Sequence, residues 1–230
     1  TQVGASLGQI ESNGFTDGAW ANGPTLISLS TGGGANSTDV RAVGSTDGSV
    51  VTAVWRTISG GLGAVYANRF SASAWGGSPD LISAAAASTA NAQSAPAIVT
   101  NPSGAQVAVA WQSGVSGNGQ IVSSAFASGA WSGPELVSSA AASAANASAP
   151  KLVASTDLSS VTAVWQSRNV ANGEVYASRR TAGTWAANPT LISVAAASST
   201  NVQSLGQVAS NPAGDTVTVV WRSYDQFNGE

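Results

Sequence analysis

Short apolar runs separated by turn residues recur along the whole chain. In one recurrence the runs 151–155, 161–167 and 174–180 are followed by a broken run over 184–193. Runs of this length are typical of β-strands and too short for helices. The turns between the first two runs contain Ser-Thr-Asp, Asn-Pro or Gly, which favour tight turns. The pattern therefore predicts four antiparallel strands, called a, b, c and d, in each recurrence.

The period of the recurrence is about 55 residues, and the tryptophans mark it. A radially repeated unit of four strands is typical of a β-propeller. We therefore predict an all-β fold with a single domain over residues 1–230, a four-bladed β-propeller with four antiparallel strands per blade. Two interleaved series of Trp residues carry the period, namely Trp20, Trp75, Trp131 and Trp185, and Trp55, Trp111, Trp165 and Trp221.

Strand b is apolar on both of its faces. In residues 161–166 the odd positions are Val, Ala and Trp, and the even positions are Thr, Val and Gln. A strand that is covered on one face alternates between apolar and polar positions, whereas a strand covered on both faces does not. The pattern predicts that neighbouring blades sandwich strand b.

The two ends of the sequence match complementary parts of one unit. Residues 8–20 align with residues 119–131, which cover strand c and the start of strand d. Residues 228–230 read Asn-Gly-Glu, as do residues 172–174 at the start of strand c. We therefore expect the N-terminal strands c and d to join the C-terminal strands a and b and close a four-bladed ring. The alternatives are a segment of a longer array and strand exchange between copies in a larger ring.

Composition excludes several classes of function. Only 8% of the residues are charged and the net charge is −3, which argues against nucleic acid and anionic membranes as partners. No apolar run is long enough for a membrane span. Because the chain has no His and no Cys, a Ser-His-Asp triad, a His-ligated metal and a disulfide are excluded. We predict no metal and no cofactor.

The repeated text resembles a known group of proteins. Each unit carries Trp, then Pro, then Leu-Ile-Ser or Leu-Val-Ser, and strand b ends in motifs such as V-T-A-V-W-[QR]. These motifs resemble the tandem repeats of secreted bacterial β-propeller proteins, which are distantly similar to sialidase and Asp-box propellers. The Ser-Thr-Asp-Gly-Ser segment 45–49 resembles an Asp box, although it lies in an a–b turn and the other copies do not keep it. The resemblance implies a propeller that is secreted or displayed at the cell surface.

One edge of the predicted blades is the candidate binding site. The b–c and d–a loops share this edge and differ between copies, and functional residues concentrate on such loops. An aromatic face beside amide or guanidinium donors, repeated four times, suits weak multivalent binding of a glycan or another small polar ligand. The candidate ligand-binding residues are Trp55, Arg56, Trp111, Gln112, Trp165, Gln166, Trp221 and Arg222 at the ends of strands b, and Asn36, Asn91, Asn146 and Asn201 in the d–a loops.

Each of these residues also has a structural interpretation. A Trp that occurs once per blade is first of all a core residue. The Asn residues can cap backbone groups where the chain crosses between blades. Arg56 and Arg222 can form ion pairs between blades.

Three functions follow from this pattern. We expect a non-enzymatic, lectin-like carbohydrate-binding propeller, either a monomer or a strand-exchanged homo-oligomer. The alternative is a structural or adhesion scaffold within a larger secreted or surface protein. The third is a sialidase-like glycoside hydrolase, for which Glu11, Asp225 and Glu230 could gather near Tyr224 and Arg222 at the seam.

Overall fold

The structure is a computed structural model, and the residues that it describes form an all-β fold. It describes residues 7–28, 35–83, 92–114, 119–138, 146–169, 172–193 and 201–225. The strands, in chain order, are β1 (Glu11–Ser12), β2 (Phe15–Thr16), β3 (Ala19–Trp20), β4 (Thr25–Leu26), β5 (Asn36–Gly44), β6 (Val51–Ser59), β7 (Leu62–Ser71), β8 (Ala74–Trp75), β9 (Asp80–Leu81), β10 (Ala92–Thr100), β11 (Val107–Gly114), β12 (Gln120–Ala127), β13 (Ala130–Trp131), β14 (Glu135–Leu136), β15 (Asn146–Ala154), β16 (Ser160–Asn169), β17 (Asn172–Thr181), β18 (Thr184–Trp185), β19 (Thr190–Leu191), β20 (Asn201–Ser210) and β21 (Val217–Asp225).

Three repeats form complete antiparallel sheets, which confirms the prediction of a four-strand unit. The orders are β5-β6-β7-β8, β10-β11-β12-β13 and β15-β16-β17-β18. Strand d is split in each repeat, and its second piece (β9, β14 or β19) pairs with the same strand c as its first piece. The split falls at the Gly, Asn and Pro residues between Trp and Leu, because Pro cannot donate a ladder hydrogen bond.

Strand a carries a bulge at one position in each repeat. The pairing of strand a with strand b shifts register there, and φ is positive at Asp39, Ala95 and Ala149. A bulge bends a strand and strengthens its twist. In the second and third repeats the next residue is Pro96 or Pro150, whose missing N–H a bulge accommodates.

The core lies between neighbouring sheets and is centred on strands b. All residues from 161 to 167 in β16 are buried, which confirms that strand b is covered on both faces. One apolar cluster joins Val54 and Val65 of the first repeat to Val109 and Trp111 of the second. A comparable cluster joins the second repeat to the third.

Adjacent sheets approach each other backbone to backbone at one glycine per interface. Gly8, Gly63, Gly119 and Gly173 stand at the start of strand c and face strand a of the next repeat. A Cβ atom at Gly8 would lie 2.6 Å from the carbonyl oxygen of Ser37. These glycines therefore set the spacing of the sheets at the edge of the b–c loops.

Arg69 links the first repeat to the second at the edge opposite the b–c loops. Its Nη1 donates to Thr52 Oγ1 at 2.6 Å within its own repeat. Its Nη2 donates to the carbonyl oxygen of Gly104 at 2.7 Å, and its guanidinium carbon lies 4.0 Å from the ring centre of Phe126. The hydrogen bond and the cation–π contact both cross the interface.

The predicted closure of the ring is not formed, and this is a correction. Among the described residues β1 pairs with β4, β2 pairs with β3, and β21 pairs with β20 alone, so the N-terminal strands c and d do not join the C-terminal strands a and b. Successive strands a pack together, β5 on β10, β10 on β15 and β15 on β20. No comparable packing joins β20 to β5 within the part of the chain described.

Candidate functional site

Three of the four tryptophans that were candidates for sugar stacking lie in the core. Trp55, Trp111 and Trp165 have no exposed surface, and Trp221 is half-buried. The indole Nε1 of Trp55 donates to Thr57 Oγ1 at 3.1 Å, and that of Trp111 donates to Gln93 Oε1 at 2.6 Å. The stacking role of these three rings is therefore wrong, because their faces are covered by neighbouring sheets. They have the core role typical of large aromatic residues.

Tyrosines of strand c complete the covering of two of these rings. Tyr66 stacks on Trp55 with ring centres 6.4 Å apart, and Tyr176 stacks on Trp165 at 6.2 Å. Burial, together with the hydrogen bond that its hydroxyl donates to Glu174, raises the pKa of Tyr176 to about 12. These tyrosines are packing residues of the sheet.

The polar residues that follow each Trp differ in their surroundings. Arg56 Nε donates to Thr38 Oγ1 at 3.4 Å and forms an ion pair with Asp39 at 3.2 Å. The ion-pair interpretation predicts a pair between blades. The observed pair lies within one repeat, so that interpretation is wrong for Arg56.

The three other polar candidates range from buried to exposed. Gln112 Oε1 accepts a hydrogen bond from Ser94 Oγ at 3.5 Å. Gln166 is 8% exposed, and its Nε2 has no hydrogen-bond partner in the structure. Arg222 is exposed on β21. The four positions therefore do not form one repeated pocket.

Two of the four asparagines cap the backbone between repeats. Asn36 Oδ1 accepts a hydrogen bond from the N–H of Gly8 at 2.8 Å, and Asn146 Oδ1 accepts one from the N–H of Gly119 at 3.1 Å. This is the structural role of Asn at a chain crossing. Asn91 lies outside the described residues. Asn201 begins β20, and its side chain is outside the description.

A widely open cavity lies at the opposite edge, and no sequence motif predicted it. The cavity has a volume of about 700 Å³ and lies where strands a of all four repeats converge. No charged residue lines it among those described. Its lining residues are Val43, Gly44, Thr46, residues 98–102, residues 152–156 and residues 209–212.

Turns that dock in pairs form the rim of this cavity. The N–H of Thr46 donates to the carbonyl oxygen of Pro102 at 2.7 Å, and the N–H of Thr156 donates to that of Pro212 at 2.8 Å. A Ser-Thr-Asp turn therefore holds the Asn-Pro turn of the next repeat in both pairs. The alternation of the two turn types was visible in the sequence, but their pairing was not predicted.

Each Ser-Thr-Asp turn is organised by its carboxylate. Asp47 Oδ1 accepts hydrogen bonds from Ser45 Oγ at 2.6 Å, the N–H of Ser49 at 3.0 Å and Ser49 Oγ at 2.8 Å. Asp157 repeats this arrangement with Ser155 and Ser159. The hydrogen bond from the preceding Ser, followed by those from the next Ser, lowers the pKa of each Asp to about 2.

These depressed pKa values predict a loss of stability in acid. The carboxylates stabilise the fold fully above the unfolded-state pKa of about 4, and the contribution is lost as pH falls through about 2. We expect the double variant Asp47→Asn with Asp157→Asn to lose less stability than the parent between pH 4 and pH 2. Urea unfolding at both pH values gives the stability that each protein loses. Subtracting the loss of the variant from that of the parent removes the contribution of the other carboxylates, which both proteins share. Identical losses in the two proteins would contradict this role.

Two further features are absent from the described part of the chain. No group of three or more acidic residues is placed to hold a metal ion. No helix of sufficient length and apolarity to cross a membrane occurs there.

Comparison with known proteins yields a distant match. No protein-family model and no curated protein sequence matches the chain. One solved structure that matches is described as the crystal structure of a thermostable family-43 glycoside hydrolase, with 12% identity and a TM-score of 0.42. The match covers 65% of this chain and 57% of that one, so this chain spans little more than half of the hydrolase.

This comparison corrects two predictions made from the sequence. Against the predictions of a non-enzymatic, lectin-like carbohydrate binder and of a chain that is not an enzyme stands the finding that the matching protein is a glycoside hydrolase. The likeness concerns the fold, and it identifies no residue of a site.

Proposed function

We propose that this chain is a β-propeller module of four blade-like repeats that binds an uncharged small molecule in its axial cavity. The observation that carries the proposal is the lining of the cavity, to which each of the four repeats contributes the end of its strand a. A volume of about 700 Å³ is in the range of small-molecule sites. Convergence of the four strands supports a propeller axis at this point.

The chemistry of the lining favours a neutral ligand. The lining combines aliphatic residues, such as Val43, Ile98 and Leu152, with residues that carry a hydroxyl or an amide group, such as Thr46 and Asn101. A second, adjoining cavity has a volume of about 590 Å³. Among the described residues that line it, Asp157 alone is charged, and its Oδ1 is already engaged by Ser155 and Ser159. A carboxylate beside the entrance disfavours anions, and no charge in the axial cavity itself compensates the desolvation of an ion. Binding should therefore depend little on ionic strength.

A screen of uncharged fragments against charged analogues of the same shape tests the proposal. Saturation-transfer NMR reports binding, and Ala209→Trp fills the cavity from an exposed position of its lining. Ala105→Trp is the matched control, because Ala105 is exposed in an a–b turn and does not line the cavity. We expect neutral fragments to bind the parent and the Ala105→Trp variant but not the Ala209→Trp variant. Preference for charged analogues, or binding unaffected by Ala209→Trp, would refute the proposal.

A further inference from the structure

One position of strand a determines what faces the Trp of strand b in each repeat. It lies directly opposite the residue two places after that Trp, at the end of strand a that is remote from the cavity. The residue at this position is buried in all four repeats. Its identity changes from repeat to repeat, and the four residues are Ser37, Gln93, Ala147 and Gln203.

In the first two repeats the indole N–H of this Trp has a hydrogen-bond partner. Trp111 Nε1 donates to Gln93 Oε1 at 2.6 Å, and Gln93 Nε2 donates to Ser113 Oγ at 3.0 Å, so the glutamine bridges the indole and the hydroxyl. Trp55 Nε1 donates directly to Thr57 Oγ1 at 3.1 Å. Both arrangements satisfy a buried donor.

The third repeat has neither arrangement. Ala147 carries no polar side-chain atom. Within the described part of the chain, the Nε1 of Trp165 and the Oγ of Ser167 are buried and have no hydrogen-bond partner. Both residues have no exposed surface. Burying a polar group without a partner is costly, so such groups are normally satisfied by protein or by ordered water.

The residue of strand c that packs against the ring compensates for the small alanine only in part. Ala147 lacks the carbons and the amide by which Gln93 reaches its partners. Ile121 packs in the cluster around Trp165, where Val65 packs in the cluster of the second repeat, and isoleucine exceeds valine by a single methylene group. Room therefore remains beside the indole of Trp165.

Backbone contacts limit how far the second and third repeats can close over this room. The N–H of Ala147 donates to the carbonyl oxygen of Gly119 at 2.9 Å, and the N–H of Gly119 donates to Asn146 Oδ1 at 3.1 Å. A Cβ atom at Gly119 would lie 2.5 Å from Asn146 Oδ1, so the two sheets are already in contact. The partner of the two buried polar groups therefore has to fit the existing spacing.

We propose that this interface binds an internal water molecule between Trp165 Nε1 and Ser167 Oγ, where the second repeat places the amide of Gln93. The indole N–H only donates, so the bound molecule must accept a hydrogen bond, whereas the serine hydroxyl donates or accepts. Water meets both requirements, carries no charge that burial would penalise, and is smaller than the side chain it replaces.

A high-resolution crystal structure of the parent tests for the bound molecule. We expect density for one water within hydrogen-bond distance of both Trp165 Nε1 and Ser167 Oγ. The second repeat is the internal control, because Gln93 already bridges Trp111 and its serine, and it should show no water there. A direct hydrogen bond from Trp165 to Ser167, as the first repeat makes to its threonine, would overturn the proposal. Density for a molecule larger than water would also overturn it.

A pair of double variants tests the site in solution. Ala147→Gln with Ile121→Val rebuilds the combination of the second repeat, so it should displace the water and supply partners to Trp165 and Ser167. Ala147→Leu with Ile121→Val is the matched control, because leucine fills a similar volume without a polar atom. We expect a higher midpoint of urea unfolding for the first variant than for the control.

Equal midpoints of the two variants would overturn the proposal, since they would show that the buried indole and hydroxyl need no polar partner. Water density that persists in the Ala147→Gln variant would place the water elsewhere and would also overturn it. If either variant fails to fold, the density in the parent decides.

Discussion

Gly63→Ala is expected to destabilise the fold by about 2–4 kcal/mol, as overpacking between rigid backbones does. A Cβ atom at Gly63 would overlap the carbonyl oxygen of Gln93 and would lie 3.1 Å from its backbone nitrogen and 3.2 Å from Arg56 Cδ. Two of these atoms belong to the backbone of β10, so relief requires that two sheets move apart. Urea unfolding followed by tryptophan fluorescence measures the loss.

The control for this variant is Gly77→Ala. Gly77 has no atom within 4 Å of a built Cβ, and neither glycine has the left-handed φ that would strain an alanine. Replacing such a glycine leaves the folded state unstrained and reduces the entropy of the unfolded chain, so stability should be unchanged or rise by up to about 1 kcal/mol. Equal effects of the two variants would show that the spacing of the sheets does not depend on Gly63.

Trp111→Ala is expected to cost about 3–5 kcal/mol, the usual loss for a fully buried aromatic residue. The ring has no exposed surface and packs with Val54 and Val65 of the neighbouring repeat. Its indole also donates the 2.6 Å hydrogen bond to Gln93 Oε1. The substitution therefore leaves a cavity between two sheets and removes a buried hydrogen bond.

Comparison with Trp111→Phe separates the two contributions. Phenylalanine keeps most of the apolar contact but cannot donate a hydrogen bond to Gln93. The Trp111→Phe variant should therefore lose less stability than the Trp111→Ala variant. We expect a loss of about 1–3 kcal/mol, the cost of leaving the buried Gln93 acceptor without this donor. Denaturant unfolding of the three proteins gives the values. An alanine variant as stable as the parent would contradict the placement of Trp111 in the core.

Local patterns were sufficient to predict the strands and their grouping. The apolar positions of residues 161–166 predicted a strand covered on both faces, and that strand is buried along its length. The Ser-Thr-Asp and Asn-Pro segments predicted tight turns, and Asp47 organises one of them by bonds to residues two positions away. These features could be predicted because the groups that cause them are close in sequence.

The candidate site could not be predicted in the same way. Trp55, Trp111 and Trp165 end strand b at a variable edge, so the sequence left both a core role and a sugar-facing role open, and neighbouring sheets cover their rings. The partner of Trp111 is Gln93, and only the strand register brings the two together. The axial cavity was missed because its lining residues come from four repeats and carry no chemical motif.

The sequence by itself determined the all-β class, the period of about 55 residues and the turns, because alternation of apolar positions and turn residues acts over a few neighbouring residues. The tertiary structure decided which aromatic faces are covered, where the cavity lies and whether the divided repeat closes. Each of these depends on the approach of sheets that are dozens of residues apart in the chain. At Gly63 that approach is set by backbone atoms, which every sequence shares and no side-chain pattern reveals.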